Sequence, residues 1–155
     1  MENRSVTTIR PGDQRKTFFG AGDEYYYFAT GQETDGHYFF LEGIIPPGGG
    51  PPPHVQTREE EAFYILEGKV TFYAGGEEIT ATAGTYLNIP KGVKHKFRNN
   101  TETTARLLMF FAPSGIEGLF DDEAASNEEL ANHPEQAIDV LNTIGEPYGV
   151  QFFEE

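Results

Sequence analysis

The chain of 155 residues carries 25 acidic against 11 basic side chains, a formal charge of -14 with histidine neutral, and it has no cysteine. One domain is expected at this length, and its 36 Leu, Ile, Val and Phe residues exceed the roughly 20% below which a highly charged chain stays disordered. The acidic excess leaves nucleic-acid binding without an electrostatic basis, and the lack of cysteine excludes disulfides, thiolate zinc sites, iron-sulfur clusters and thiol nucleophiles.

Residues 1–16 are polar and charged, and nowhere do 18 apolar residues run together, which predicts a cytoplasmic protein with no membrane partner. The 18 glycines and 10 prolines fall between short runs rich in Phe, Tyr, Ile, Val and Thr. That spacing predicts strands over 6–10, 17–19, 25–30, 37–45, 60–66, 70–73, 77–82, 86–89, 94–98 and 105–112, separated by glycine and asparagine turns. Short strands with no helical period among them predict an all-β antiparallel sandwich or barrel.

Alternation within 94–98 puts His95 and Phe97 on one face and Lys94, Lys96 and Arg98 on the other. The cations face water, so His95 must face the interior. His54 and Gln56 share a face by the same period. Glu61 has the opposite parity and joins them only if residues 57–60 contain a turn or bulge. Glu59 and Glu60 read as a solvated acidic edge, Asn88 as a partner for loop backbone, and Arg58 as a partner for Glu60 or an acidic tail residue.

After Pro113, apolar residues at 116, 119 and 120, and then between 130 and 144, recur at helical spacing. Ser126 or Asn127 is placed to cap a helix, Pro134 to divide the run, and Gly145 with Pro147 to end it. Residues 148–153 read as a returning strand or extended tail. The expected organisation is a single domain in three parts: N-terminal strands over 1–36 packing on the barrel or a dimer partner, the barrel over 37–113, and C-terminal helices and tail over 114–155.

Two segments carry the chemistry. The first places Gly48, His54, Glu61 and Gly68 in order, and the second Gly84, Pro90, Gly92, His95 and Asn99. Together they closely resemble the two motifs of the cupin superfamily in its single-domain form, G-x5-H-x-H-x3or4-E-x6-G and G-x5-P-x-G-x2-H-x3-N. Nine of the ten fixed positions match, and Gln56 stands where the motif has its second histidine. The resemblance implies an all-β fold, the cupin double-stranded β-helix or jelly-roll barrel with short C-terminal helices, in which His54, Glu61 and His95 converge on a divalent metal. Such a set leaves coordination positions open and suits iron, manganese, nickel or cobalt. Gln56, a weaker neutral donor, is a fourth ligand, a hydrogen-bond partner of bound water, or the mark of a site that has lost its metal.

The text around both motifs also resembles the small quercetin 2,3-dioxygenase-like cupins. That resemblance implies a metal-dependent dioxygenase-like oxidoreductase acting on a flavonol-like or other enolisable small molecule, with Glu61 as ligand and catalytic base. Phe63, Phe97, Met109 and Phe111 are the expected core residues and walls of the substrate pocket. A non-catalytic small-molecule or sugar-binding barrel, metal-free or holding a structural ion, and a metal-dependent isomerase are the alternatives, since one scaffold hosts unrelated functions. The aromatic runs 25–28 and 38–40, read as edge strands, predict a homodimer.

Overall fold

The computed structural model describes residues 4–155; residues 1–3, the start of the expected N-terminal part, lie outside the described residues. In chain order the elements are β1 (Thr17–Gly20), β2 (Asp23–Ala29), α1 (Gly31–Thr34), β3 (Phe39–Ile45), β4 (His54–Gln56), β5 (Glu60–Glu67), β6 (Lys69–Ala74), β7 (Glu77–Thr82), β8 (Tyr86–Ile89), β9 (His95–Arg98), β10 (Ala105–Ala112), α2 (Glu117–Ala125), α3 (Asn127–Asn132), α4 (Ala137–Gly145) and β11 (Val150–Phe152). Antiparallel pairing builds a six-stranded sheet, β1-β2-β3-β10-β5-β8, and a five-stranded sheet, β11-β4-β9-β6-β7. The two face each other as a jelly-roll sandwich.

Alternation decides what meets between the sheets. β3 buries Phe39, Leu41 and Ile45 and turns Phe40, Glu42 and Ile44 outward. β10 is apolar at almost every position, yet it too buries every second residue: Ala105, Leu107, Met109 and Phe111. The opposite sheet contributes Val70, Phe72, Ala81 and Phe97. Phe63, Phe72 and Phe97, with ring centroids 4.8 to 5.8 Å apart, plug one end of the sandwich. Deleting one such buried ring typically costs ~3–5 kcal/mol. The other end admits polar groups.

Two expectations need correction. Residues 6–10 form no strand, and Val6 is 94% exposed; Val6 and Ile9 lie three apart, so they share no face of an extended chain. The aromatic runs do not lie on edge strands: β2 and β3 are interior to the six-stranded sheet. Alternation also splits those runs, sending Tyr25, Tyr27 and Phe39 into the core while Phe28, Phe40, Tyr38 and Phe110 stack on the outer face. Segments from both ends of the chain contribute strands to the sheets. β1 and β2 belong to the six-stranded sheet, and β11, from the tail, completes the five-stranded one.

The C-terminal helices cover the polar end of the sandwich. Leu119 of α2 is buried, and the Phe120 ring lies 5.0 to 6.0 Å from those of Phe18, Tyr25, Phe39 and Phe111. Pro134 opens a short 3-10 turn, Pro134–Gln136, that separates α3 from α4. Ser126 stands before α3, but its backbone is still near-helical (φ -100°, ψ 3°), so its hydroxyl donates back to the Asp122 carbonyl (3.0 Å) instead of capping. Among the described residues no helix is long and apolar enough to cross a membrane.

Candidate metal centre

β4 and β9 pair at one position, His54 opposite His95, so two imidazoles leave neighbouring strands on the inner face with ring centroids 4.3 Å apart. Glu61 arrives from the other sheet. The chain leaves β4 at Gln56, turns over residues 57–59 and enters β5, where Glu61 is buried on the same face as Phe63 and Ile65. This change of sheet is the reset that the parity of Glu61 demands. His54, Glu61 and His95 are 7, 2 and 3% exposed, and their ligand atoms all lie within 4.8 Å of one another.

Two further motif residues, Gly92 and Asn99, and the non-motif Gly50 hold these strands in place. The Gly92 N–H donates to the Gln56 carbonyl (2.7 Å), hanging the 90–92 turn on β4. Asn99, fully buried, donates to the Ile45 and Thr103 carbonyls (2.9 and 2.8 Å) and accepts from the Thr101 amide and hydroxyl (3.0 and 2.7 Å), closing the β9–β10 connection. Gly50 has φ +130°, and a Cβ there would overlap the Phe97 carbonyl oxygen. Only glycine lets the 46–53 loop lie this close to β9.

Hydrogen bonds fix both tautomers. His54 Nδ1–H donates to the Pro52 carbonyl (3.0 Å) and His95 Nδ1–H to the Val93 carbonyl (2.9 Å), which turns both Nε2 atoms inward as lone-pair donors. His95 Nε2 then stands 2.9 Å from Glu61 Oε2, and two such acceptors meet only by sharing a proton or a cation. Burial works against charge on His95, but the hydrogen bond and charge of Glu61, with the Val93 carbonyl, outweigh it and raise its pKa. Burial, seconded by His95, pushes His54 down to about 4, leaving it a neutral ligand at physiological pH. Two neutral inward nitrogens and one carboxyl oxygen fit a divalent transition metal in place of the shared proton.

His54 and Glu61 line a cavity of about 60 Å³ at the covered end, together with Gln56, Phe97, Met109 and Phe111, while His95 stands behind Glu61. Phe63 does not reach it, being consumed by its packing on Phe72 and Phe97. Other side chains also sit differently from the sequence reading. Glu59 is 3% exposed with Oε2 unpartnered, not on a solvated edge. Asn88 donates to Glu60 (2.8 Å), and Arg58 to the Pro147 carbonyl (2.7 Å). The cavity also holds two acids that no sequence motif marks, Asp23 and Glu123. Asp23 had a signal, since it opens the alternation that buries Tyr25 and Tyr27.

Burial raises Asp23 to about 6 and both Glu59 and Glu123 to about 7. The folded chain therefore keeps protons that unfolded carboxyls release near pH ~4, and the associated stability is present in acid and lost as pH climbs through 6 and 7. The raised His95 acts in the same sense, whereas the lowered His54 acts oppositely and only below its ordinary value of 6.5. Urea unfolding of chelator-treated protein is thus expected to show a net loss of a few kcal/mol between about pH 5 and 7.5, smaller in a D23N/E123Q variant, where Glu59 alone of the three carboxyls remains. Stability rising over that window would contradict the assignment.

Comparison with known proteins agrees with this architecture. Residues 41–111 match the family described as Cupin domain. The chain is 30% identical over 67 residues to quercetin 2,3-dioxygenase of Bacillus subtilis, a match covering 43% of this chain and 20% of that enzyme. It is 37% identical over 61 residues to an uncharacterized protein of Aquifex aeolicus, covering 39% and 50%. The matches thus span a fifth to a half of the length of these curated relatives. A predicted oxalate decarboxylase of Thermotoga maritima shares the fold, with a TM-score of 0.62 at 19% identity over 69% of this chain and 99% of that one.

Proposed function

We propose, starting from the cupin domain over residues 41–111, that the protein is a metal-dependent, dioxygenase-like oxidoreductase acting on a flavonol-like or other enolisable aromatic. The observation that carries this reading is the buried pair of inward Nε2 atoms meeting Glu61. The partial likeness to quercetin 2,3-dioxygenase supports it. His54, Glu61 and His95 would hold iron, manganese, nickel or cobalt, which supplies Lewis acidity toward an enol or phenol oxygen.

The chain's own groups do the rest. Glu61, on the cavity wall, is placed to take the substrate hydroxyl proton on a carboxyl oxygen. The Gln56 amide beside His54 offers a donor and an acceptor to orient a ligand oxygen. Phe97, Met109 and Phe111 supply a flat apolar wall. The closed cavity, about 60 Å³, is far below the ~300–1,000 Å³ of pockets that hold drug-sized ligands, so a two-ring substrate requires the α2–α4 cover to shift.

The test is oxygen uptake with quercetin by protein reconstituted separately with each of the four metals. Uptake matching substrate loss is expected with at least one, and none with any of them would sink the dioxygenase reading. Turnover under argon would instead indicate an isomerase. Gln56 in place of a fourth strong ligand favours a second reading, a non-catalytic binding barrel whose ligand affinity is unchanged by chelation.

Homodimerisation belongs to the same proposal. The outer face of the six-stranded sheet carries Tyr38, Tyr64, Tyr86 and Phe110, each at least 36% exposed. It also carries both signs of charge in the Arg106, Glu42 and Glu67 cluster, so a second copy can supply apolar and ionic partners alike. A monomeric mass by light scattering at micromolar concentration would refute it.

A further inference from the structure

Outside the closed cavity lies a groove of about 710 Å³ between the β1–β2 turn and the undersides of α3 and α4. Six residues face both spaces and so form the partition between them: Gly20, Ala21, Asp23, Pro52, Leu141 and Glu123. Only Asp23 and Glu123 among these are polar. Asp23 is 1% exposed and accepts from the Tyr25 hydroxyl on Oδ2 (2.9 Å), while Oδ1 has no hydrogen-bond partner. The Gly50 amide lies close enough to favour its charge without reaching bonding geometry. Glu123 reaches over the turn from α2, its Oε1 2.9 Å from where a Cβ on Gly20 would stand. Burial, and the neighbouring Asp23, disfavour its charge.

Neither space is lined by a lysine or arginine, and the groove adds two more acids, Glu24 and Glu154. A buried carboxyl oxygen without a partner is costly unless a donor visits it. An anion on this route meets carboxylates, and Arg98, whose charge reaches Asp23, is already paired with Glu155.

We infer that Asp23 and Glu123 form the doorway of the barrel and select ligands by charge, hydrogen-bonding neutral or cationic molecules that carry hydroxyl or ammonium donors and excluding carboxylates and phosphates. The inference rests on the cavity being the ligand site and narrows its substrate to a neutral or cationic enol or phenol.

Catechol, dopamine and 3,4-dihydroxybenzoate share one chelating head and differ in the charge of the tail. Calorimetric titrations of each into the zinc-loaded protein, under argon near pH ~8 where the carboxyls are ionised, read the selection directly. Dopamine and catechol are expected to bind at least about tenfold more tightly than the benzoate. In D23N/E123Q the three should converge to within about threefold with zinc content unchanged. The amide oxygen that Asp23→Asn introduces can still accept from Tyr25, and circular dichroism with the single D23N and E123Q variants guards against misfolding. Equal binding of the three by the wild type, a preference that survives the double substitution, or no binding at all overturns the doorway. Failure to take up zinc refutes the metal centre instead, and the same series run on metal-free protein still reads the charge selection.

Discussion

Alanine at His54 or His95, or glutamine at Glu61, is expected to leave the dialysed protein with about a tenth or less of the metal held by the wild type, and to lower turnover at least ~100-fold. Each residue supplies one of the three strong donors that, among the described residues, lie within 4.8 Å of one another, and Gln56 is too weak a donor to replace any of them. Glu61→Gln is the cleanest probe, because its amide can still donate to His95 Nε2, so the buried pair stays hydrogen-bonded while the charge that favours a cation is gone. Stability separates ligation from packing. Metal at ~100 times its dissociation constant stabilises the fold by about 2.7 kcal/mol, which for a chain of this size raises Tm by roughly 5–10 °C. The wild type should show that increment and the variants should not. If the variants lose Tm equally with and without chelator, the cluster is structural and the metal centre is wrong.

Period-2 reasoning reached as far as one strand at a time. It placed His95 inside from the three cations that alternate with it, and it placed Gln56 with His54. It also showed that Glu61 could meet them only across a reset, which the structure provides by moving the chain from one sheet to the other between Gln56 and Glu60. What it could not supply was the packing of one element on another. Phe63 and Phe97 have the same inward parity, yet Phe63 is spent on the aromatic plug and only Phe97 borders the cavity. Glu123 becomes a cavity residue only because α2 lies across the polar end, a placement decided by Phe120 entering the nest of Phe18, Tyr25, Phe39 and Phe111. Glu59 is buried by the turn between sheets, where no periodic pattern applies. The motif glycines and Asn99 were legible as fixed points, while their physical work, the Gly92 amide holding its turn to β4 and Asn99 closing the β9–β10 connection, needed the coordinates of their neighbours.

A chain ending at Gly149 is expected to lose both stability and metal affinity, because β4, the strand that presents His54, is held mainly by the tail. β4 has three residues and a single register pair with β9, whereas β11 matches it at all three positions, Val150 with Gln56, Gln151 with Val55 and Phe152 with His54. Val150 and Phe152 are buried, 4 and 6% exposed, and the Phe152 ring lies 5.7 Å from that of His54. Asn142 of α4 clamps the strand through two hydrogen bonds with the Phe152 backbone (3.1 and 2.7 Å), and Glu155 pairs with Lys96 and Arg98 on β9. Burying Val and Phe side chains contributes ~1.5–3 kcal/mol each, so the truncation should cost about 4 kcal/mol and lower Tm by roughly 8–16 °C. The exposed ion pairs add little. With β11 gone, water reaches His54 and Gln56, His54 regains its ordinary basicity, and protons compete with metal for its Nε2. Thermal unfolding and zinc titration of the shortened chain, beside a V150A/F152A variant that keeps the backbone ladder, distinguish the contributions. Apolar burial predicts that the variant reproduces most of the Tm loss, and the ladder predicts that it retains more of the metal affinity. A shortened chain with unaltered Tm and zinc affinity would mean that β9 alone positions β4, and that the tail plays no part in forming the centre.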